Sequence, residues 1–315
     1  ILGFDEIEVS QKDAKCQLAE KWFEKTVTDS ELQVSEDDTQ IHIKGREFAY
    51  TIDRRTALFT EMKFAGREYL NHPMELNIWR APTDNDMYIK SEWKKAHYDK
   101  AYTRAYTTEV VQGKHGVKIT SHASVVAETV QKILDVTITW KIEAAGKIDA
   151  DIAVTKDDEF PDLPRFGVRM FLDKKLSAAR YFGMGPQESY CDKHQAASHG
   201  LYHANVDDLH EDYIRPQENG SHYDCEYVEL NNSRYGIVAS AEKAFSFNAS
   251  YYTQEELEKK THNYELTESD SVVFCVDYAL NGIGSNSCGP VVLDQYRFDD
   301  VLFRFQFTLI PYVKG

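Results

Sequence analysis

The stretch Leu134-Asp135-Val136-Thr137-Ile138-Thr139-Trp140 alternates apolar and polar side chains. Successive side chains of a β-strand point to opposite faces of a sheet, so this alternation predicts a strand with one buried and one solvated face. β-Branched and aromatic residues, which suit a pleated surface, occupy its apolar positions. The same pattern recurs at residues 41–44, 48–52, 116–120, 148–154 and 303–309. The sequence therefore predicts an all-β protein.

The spacing of these strands predicts the domain organisation. From residue 39 to residue 315 strand patterns follow one another at short intervals, which is typical of one large antiparallel sandwich. Residues 1–34 are too short for a domain, and we expect them to be the last strands of a preceding one. The acidic residues 35–38 are predicted to be a linker. We expect helix only at residues 91–105 and 254–260.

Composition and charge exclude several classes of protein. The 315 residues carry 36 Lys and Arg against 52 Asp and Glu, a net charge of −16. Such a chain repels nucleic-acid phosphates and anionic membranes, so neither is expected as a partner. No apolar run approaches the ~20 residues of a membrane span. Neutral ligands, sugars among them, remain open.

The five cysteines bear on the compartment and on metal binding. None lies in a CxxC pair, which disfavours a zinc ribbon, and an odd, scattered set favours a reducing compartment. We therefore expect a cytoplasmic protein. The first residue is Ile, so we also expect the chain to be a piece of a longer protein, whose targeting signal would precede it. The cysteines are Cys16, Cys191, Cys225, Cys275 and Cys288.

Three polar segments are dense in Gly, Pro and charged residues. They read NIWRAPTDND at residues 77–86, YFGMGPQESYCDK at 181–193 and YIRPQENG at 213–220. In this order they resemble three motifs of the C-terminal small-chain region of family 2 glycoside hydrolases, the large bacterial β-galactosidases. The resemblance covers residues 40–315. Residues 1–34 are similar to the end of the immunoglobulin-like domain that precedes this region in the family.

The resemblance implies a fold for this chain and a location of the catalytic residues outside it. The family's region is an antiparallel β-supersandwich related to galactose mutarotase. The whole enzyme hydrolyses terminal β-D-galactosides such as lactose with retention, using two glutamates on a (β/α)8 barrel. No alternating strand–helix pattern is present here, so we expect no catalytic residue in this chain and no cofactor, with Mg²⁺ and Na⁺ held by the barrel. The implied partners are the barrel, the other domains of a homo-oligomeric enzyme and the β-galactoside.

The charged residues of the three segments have two readings. Carboxylate and amide groups could bind sugar hydroxyls, and Glu188 with Glu218 could act as general acid and base. Polar turns are, however, mostly held by their own hydrogen bonds. We expect Arg80 to pair with an Asp, and the two glutamates to cap backbone N–H groups. We therefore assign structural or domain-contact roles to Arg80, Asp84, Asn85, Asp86, Glu188, Glu218 and Asn219.

A glycine-rich loop at residues 282–290 is the remaining candidate. No Lys and no helix pattern follow it, so it is not a phosphate-binding loop. The resemblance implies that it forms part of the wall of the sugar pocket, through Ser287 and Cys288. Some family members carry Trp in place of Cys288, and a Cys offers a sugar ring far less stacking area. The alternative is a plain hairpin loop.

Two other functions remain open at this point. A free-standing aldose epimerase would need a His and a Glu converging in one cleft. A carbohydrate-binding module would need exposed aromatic side chains, for which the candidates are Trp79, Tyr251 and Tyr252. The spacing of four histidines fits a metal site poorly, and we expect none there. These are His194, His199, His203 and His210.

Overall fold

The computed structural model describes residues 32–129 and 132–314 of the chain. The described residues form two antiparallel sheets. The smaller sheet contains Gln33–Glu36 (β1), Gln40–Lys44 (β2), Phe48–Asp53 (β3), Leu58–Phe64 (β4) and Arg67–Glu68 (β5), in chain order. The larger sheet contains Leu70–Asn77 (β6), Tyr102–Gln112 (β7), Gly116–Val126 (β8), Leu134–Glu143 (β9), Ile148–Lys156 (β10), Arg165–Asp173 (β11), Ala178–Gly185 (β12), Ser198–Asn205 (β13), His222–Asn231 (β14), Tyr235–Ser250 (β15), Ser271–Leu280 (β16) and Leu302–Val313 (β17).

The larger sheet is not wound in chain order. Its main path runs β13-β12-β14-β15-β17-β10-β9-β8-β7. A side path leaves β15 through β16 to β11 and β6. Strand β17 therefore lies between β15 and β10, in the middle of the sheet. This all-β antiparallel architecture confirms the fold class predicted from the alternating patterns.

One part of the core lies between the two sheets, which turn apolar faces towards each other, and another part lies within the larger sheet, where Phe166 of β11 packs against Phe303 of β17. Phe59 of β4 meets Trp140 of β9 edge to face, with ring centroids 4.9 Å apart. The Trp140 indole N–H donates to the carbonyl of Ala57 at 2.8 Å, and the Tyr50 hydroxyl donates to that of Gly146 at 2.6 Å. Buried aromatic side chains with satisfied polar atoms thus join the sheets.

Helix is scarce in the part of the chain that the structure describes. The two α-helices are Ile89–Lys95 (α1) and Gln254–Lys259 (α2), and α2 was predicted. The prediction of helix over residues 91–105 was wrong beyond α1. His97, just after α1, adopts a left-handed conformation with φ of 57°, and only a short 3-10 helix, Tyr98–Lys100, follows it. From Tyr102 onward β7 pairs with β8 instead. Neither α-helix has the length and apolarity that crossing a membrane requires.

The predicted linker is also revised by the structure. Ser35 and Glu36 belong to β1 and pair with His42 and Ile41 of β2. Only the second half of the acidic stretch forms a connection, in which the Asp37 carboxylate accepts the backbone N–H of Thr39 at 2.7 Å. The predicted end of an immunoglobulin-like domain falls on residues that are almost all outside the described part of the chain.

Candidate functional site

The three polar segments meet in one buried network, which we call the motif junction (residues 77–86, 181–193 and 213–220 with their partners). Its first element is Arg80, whose side chain is fully buried. Its guanidinium binds both carboxylate oxygens of Asp86, at 2.7 and 3.2 Å, and donates to the carbonyl oxygens of Asn281 and Gly282 at 2.5 and 3.1 Å. Burial alone would lower the pKa of Arg80, but Asp86 holds it above its usual value. The predicted pairing of Arg80 with an Asp is confirmed.

The glycine-rich loop is anchored to this junction at its base. The Asn85 side chain donates to the carbonyl of Gly284 at 2.7 Å and accepts the Ser287 hydroxyl at 2.8 Å. From the other side, the Asp192 carboxylate accepts the backbone N–H groups of Ile283 and Gly284 at 2.9 and 2.7 Å. The loop therefore starts from two fixed polar contacts, one in each of the first two segments.

The tip of the loop is exposed to solvent, although Asn85 also binds its Ser287. Ser285, Ser287 and Cys288 are exposed. The Cys288 N–H donates to the Ser285 carbonyl at 3.3 Å, so the tip is closed by its own backbone turn. A loop with a fixed base and a polar, exposed tip can contact another surface without rearranging the domain beneath it.

Both carboxylate oxygens of Glu188 accept hydrogen bonds. One carboxylate oxygen accepts the Tyr213 hydroxyl and the Lys193 ammonium group. The other accepts the Gly220 N–H at 2.9 Å and the Tyr190 hydroxyl at 3.4 Å. Gly220 has a φ of 69°, a conformation that glycine adopts without strain. The expectation that Glu188 caps a backbone N–H is confirmed.

Glu218 does not cap the backbone with its side chain, so that expectation was wrong. Its carboxylate accepts from the Arg165 guanidinium at 3.2 and 3.3 Å. The same guanidinium binds Asp277 at 2.5 and 3.2 Å, and all three side chains are buried. Burial raises the pKa of both carboxyl groups, and Arg165 opposes that rise. Glu218 is thus one of three members of a buried ionic cluster.

Two further predicted residues, Asp84 and Asn219, also have partners within the domain. The Asp84 N–H donates to the Gln217 side chain at 3.0 Å, which joins the first segment to the third. The Asn219 side chain accepts the Glu211 N–H and donates to the Gln217 carbonyl, both at 2.9 Å. The seven residues that we assigned structural roles all engage partners within the domain.

The sequence analysis missed Arg165, Asp277 and His222. Arg165 and Asp277 belong to strands β11 and β16, whose residues are nearly all buried, and a charge inside such a run signals a buried ion pair. The His222 ring contacts the rings of both Tyr181 and Phe247, with centroids 4.5 and 5.1 Å away, in a cluster of three mutually contacting rings. Burial lowers its pKa to about 4, so it is neutral at pH 7.

The candidates for an aromatic sugar platform are less exposed than that function requires. Trp79 is buried, and its indole N–H donates to Glu258 at 3.1 Å. Tyr251 and Tyr252 are half-buried. Among the described residues, no three His, Cys, Asp or Glu side chains are grouped as a metal ion would need.

Comparison with known proteins identifies close sequence relatives. A family described as the beta galactosidase small chain matches residues 44–309. A β-galactosidase of Actinobacillus pleuropneumoniae is 45% identical over 90% of this chain and 28% of its own length. One of Staphylococcus xylosus is 31% identical over 98% of this chain and 30% of its own length. The chain therefore spans less than a third of these relatives.

Solved structures show a more distant likeness. The galactose 1-epimerase of Lactobacillus acidophilus matches with a TM-score of 0.46 and 8% sequence identity. The match covers 91% of this chain and 99% of the epimerase.

Proposed function

The chain belongs to the β-galactosidase small-chain family, and from this premise we propose that it is the non-catalytic C-terminal part of a β-galactosidase. The whole enzyme would hydrolyse terminal β-D-galactosides with retention, on a catalytic barrel supplied by other residues. In this proposal the chain stabilises the enzyme and places the glycine-rich loop against the sugar pocket.

The observation that carries the proposal is the contrast between base and tip of this loop. Asn85 and Asp192 fix the base, whereas Ser287 and Cys288 remain exposed and have no partner beyond the loop and Asn85 in the described structure. The buried acids of the motif junction support the non-catalytic part. Glu188 accepts hydrogen bonds from four donors and Glu218 binds Arg165, so both carboxylates already have partners within the domain, as a structural role requires.

A chimera tests this proposal. In it, the chain would replace the matched region of the A. pleuropneumoniae β-galactosidase. We expect the chimera to hydrolyse nitrophenyl β-galactoside, because other parts of the enzyme supply the carboxylates. The enzyme truncated before this region should be inactive, and so should the chain alone. Turnover by the chain alone would contradict the non-catalytic role, and a folded but inactive chimera would contradict membership in the working enzyme.

The loop has its own test in the same chimera. Replacing Cys288 by Trp adds a stacking surface at the exposed tip, and we expect kcat/KM to shift by a factor that corresponds to about 0.5–1.5 kcal/mol. The thermal midpoint should stay within about 1 °C, since exposed positions contribute little to stability. A Val111→Trp variant, at an exposed site on β7, is the matched control. Equal kinetics for both variants would make the loop a plain connector.

A further inference from the structure

Strand β15 changes partner halfway along its length. Its first part, from Tyr235 to Ser240, pairs with β17, and its last part, from Ser246 to Ser250, pairs with β16. On the side of β14 the register shifts at the same place, from Tyr227 opposite Ser240 to Cys225 opposite Phe245. The intervening residues have no partner in these ladders. The sheet is therefore open where β16 and β17 diverge.

A cavity of about 450 Å³ occupies this opening. Its lining includes residues 278–280 of β16, residues 304–306 of β17 and residues 242–246 of β15, and the unpaired residues 242–244 are among the last group. Sites for small molecules have volumes of ~300–1,000 Å³, so one or two sugar rings would fit. We call this cavity the changeover cleft.

The aromatic lining of the changeover cleft is held in place by packing. The Tyr278 ring stacks on Phe303, with centroids 4.8 Å apart and an interplanar angle of 15°. The Tyr223 ring stacks on His194, with centroids 5.7 Å apart. Both tyrosines are half-buried, so each leaves part of its surface to the cleft. Fixed aromatic surfaces of this kind offer apolar contact and a hydroxyl, which suits a ligand with C–H faces and polar edges.

Asp224 also lies in the cleft lining, on β14 at a second register shift, between His222 and Cys225. Its φ of 54° lies in the left-handed region, which is uncommon outside glycine. Bulges often redirect side chains beside functional sites. The Asp224 carboxylate lies 4.0 Å from the Nε2 atom of His199. No other described residue donates a hydrogen bond to this carboxylate.

The remaining charges in the lining disfavour an anionic ligand. Arg297 is held by Asp162 at 2.7 Å, and Arg304 by Asp151 at 2.6 Å. Glu242 and Lys243 are exposed and form no ion pair with any described residue. Asp300 adds a further carboxyl group to the lining. The lining therefore carries three carboxyl groups and three cationic groups, two of which are already paired with carboxylates outside the lining, so no net positive charge draws an anion into the cleft.

We propose that the changeover cleft binds a neutral saccharide of one or two rings. The sugar's C–H face packs on Tyr223 and Tyr278. Its hydroxyl groups donate to the carboxylates of Asp224 and Glu242. This site goes beyond the function proposed above, since it requires neither the glycine-rich loop nor catalysis.

Titration of the chain itself tests the proposal. We expect saturable binding of lactose, followed by ligand-observed NMR, with a Kd in the millimolar range, and at least about tenfold weaker binding of galacturonate. Asp224→Asn keeps the shape and the left-handed tendency of the residue but removes a charged acceptor, and should weaken lactose binding about tenfold.

A second variant keeps the proposal testable if Asp224→Asn fails to fold. Glu242→Gln changes an exposed residue without an ion pair, so it should fold normally and weaken lactose binding several-fold. Glu109→Gln, at an exposed position on β7, is the matched control and should bind as the wild type does. The proposal is overturned if wild type shows no saturable binding, if both cleft variants bind unchanged, or if galacturonate binds as well as lactose.

Discussion

Replacing Arg165 by Met will lower the free energy of unfolding by about 3–5 kcal/mol, because it leaves two buried carboxyl groups without their cation. Glu218 and Asp277 both bind this one guanidinium, and burial already raises the pKa of each. Without the arginine, the two buried carboxyl groups will take up protons more readily, which relieves part of the destabilisation. Urea unfolding followed by circular dichroism at pH 7 measures the change.

The matched control is Arg304→Met, which breaks the ion pair with Asp151. The Arg304 side chain is 61% exposed, and exposed pairs contribute at most about 1 kcal/mol. A triple variant, Arg165→Met with Glu218→Gln and Asp277→Asn, removes the stranded charges and should recover part of the loss. Equal effects of the two arginine substitutions would show that the buried cluster contributes nothing special to stability.

Acidification will unfold the protein partly through His222. Burial lowers the pKa of this side chain from 6.5 to about 4, while its bond to the Met184 carbonyl and the nearby Glu188 oppose the shift. The folded state thus binds the proton less readily than the unfolded state. The contribution of His222 is fully present above pH 6.5 and is lost as the pH falls towards 4, by about 3 kcal/mol.

His222→Phe should reveal this contribution. Phe keeps a ring in contact with both Tyr181 and Phe247 but cannot take up a proton. The variant loses the hydrogen bond to Met184, so we expect it to be less stable at pH 7. Its stability should nevertheless fall less steeply than that of the wild type between pH 6.5 and 4, in unfolding curves measured at half-unit steps. Parallel pH profiles would contradict the neutral, buried state of His222.

The strands could be predicted from the sequence because alternation is a local signal. Along residues 134–140, the polarity of each side chain indicates whether it faces the core or the solvent, and this holds whichever strands lie next to it. The failure at residues 91–105 has the same origin. A helical stretch and a strand follow each other there, and only the left-handed His97 and the pairing of β7 with β8 separate them.

The candidate site was predictable where its partners are close in sequence. Arg80 and Asp86 are six positions apart in one turn, so their pairing could be expected. Arg165 and Asp277 are 112 positions apart and meet only because β11 pairs with β16. Nothing in the sequence near Glu218 indicates that its carboxylate binds Arg165. Contacts of this kind depend on strand order, which alternation does not report.

The central place of β17 has a consequence for synthesis on the ribosome. Strands β10 and β15 lie on either side of it, yet both leave the exit tunnel well before residues 302–313 do. Until then the nascent chain holds two separate strand groups with unpaired edges that could pair with other chains. The larger sheet can therefore be completed only after β17 has left the tunnel and inserted between the two groups.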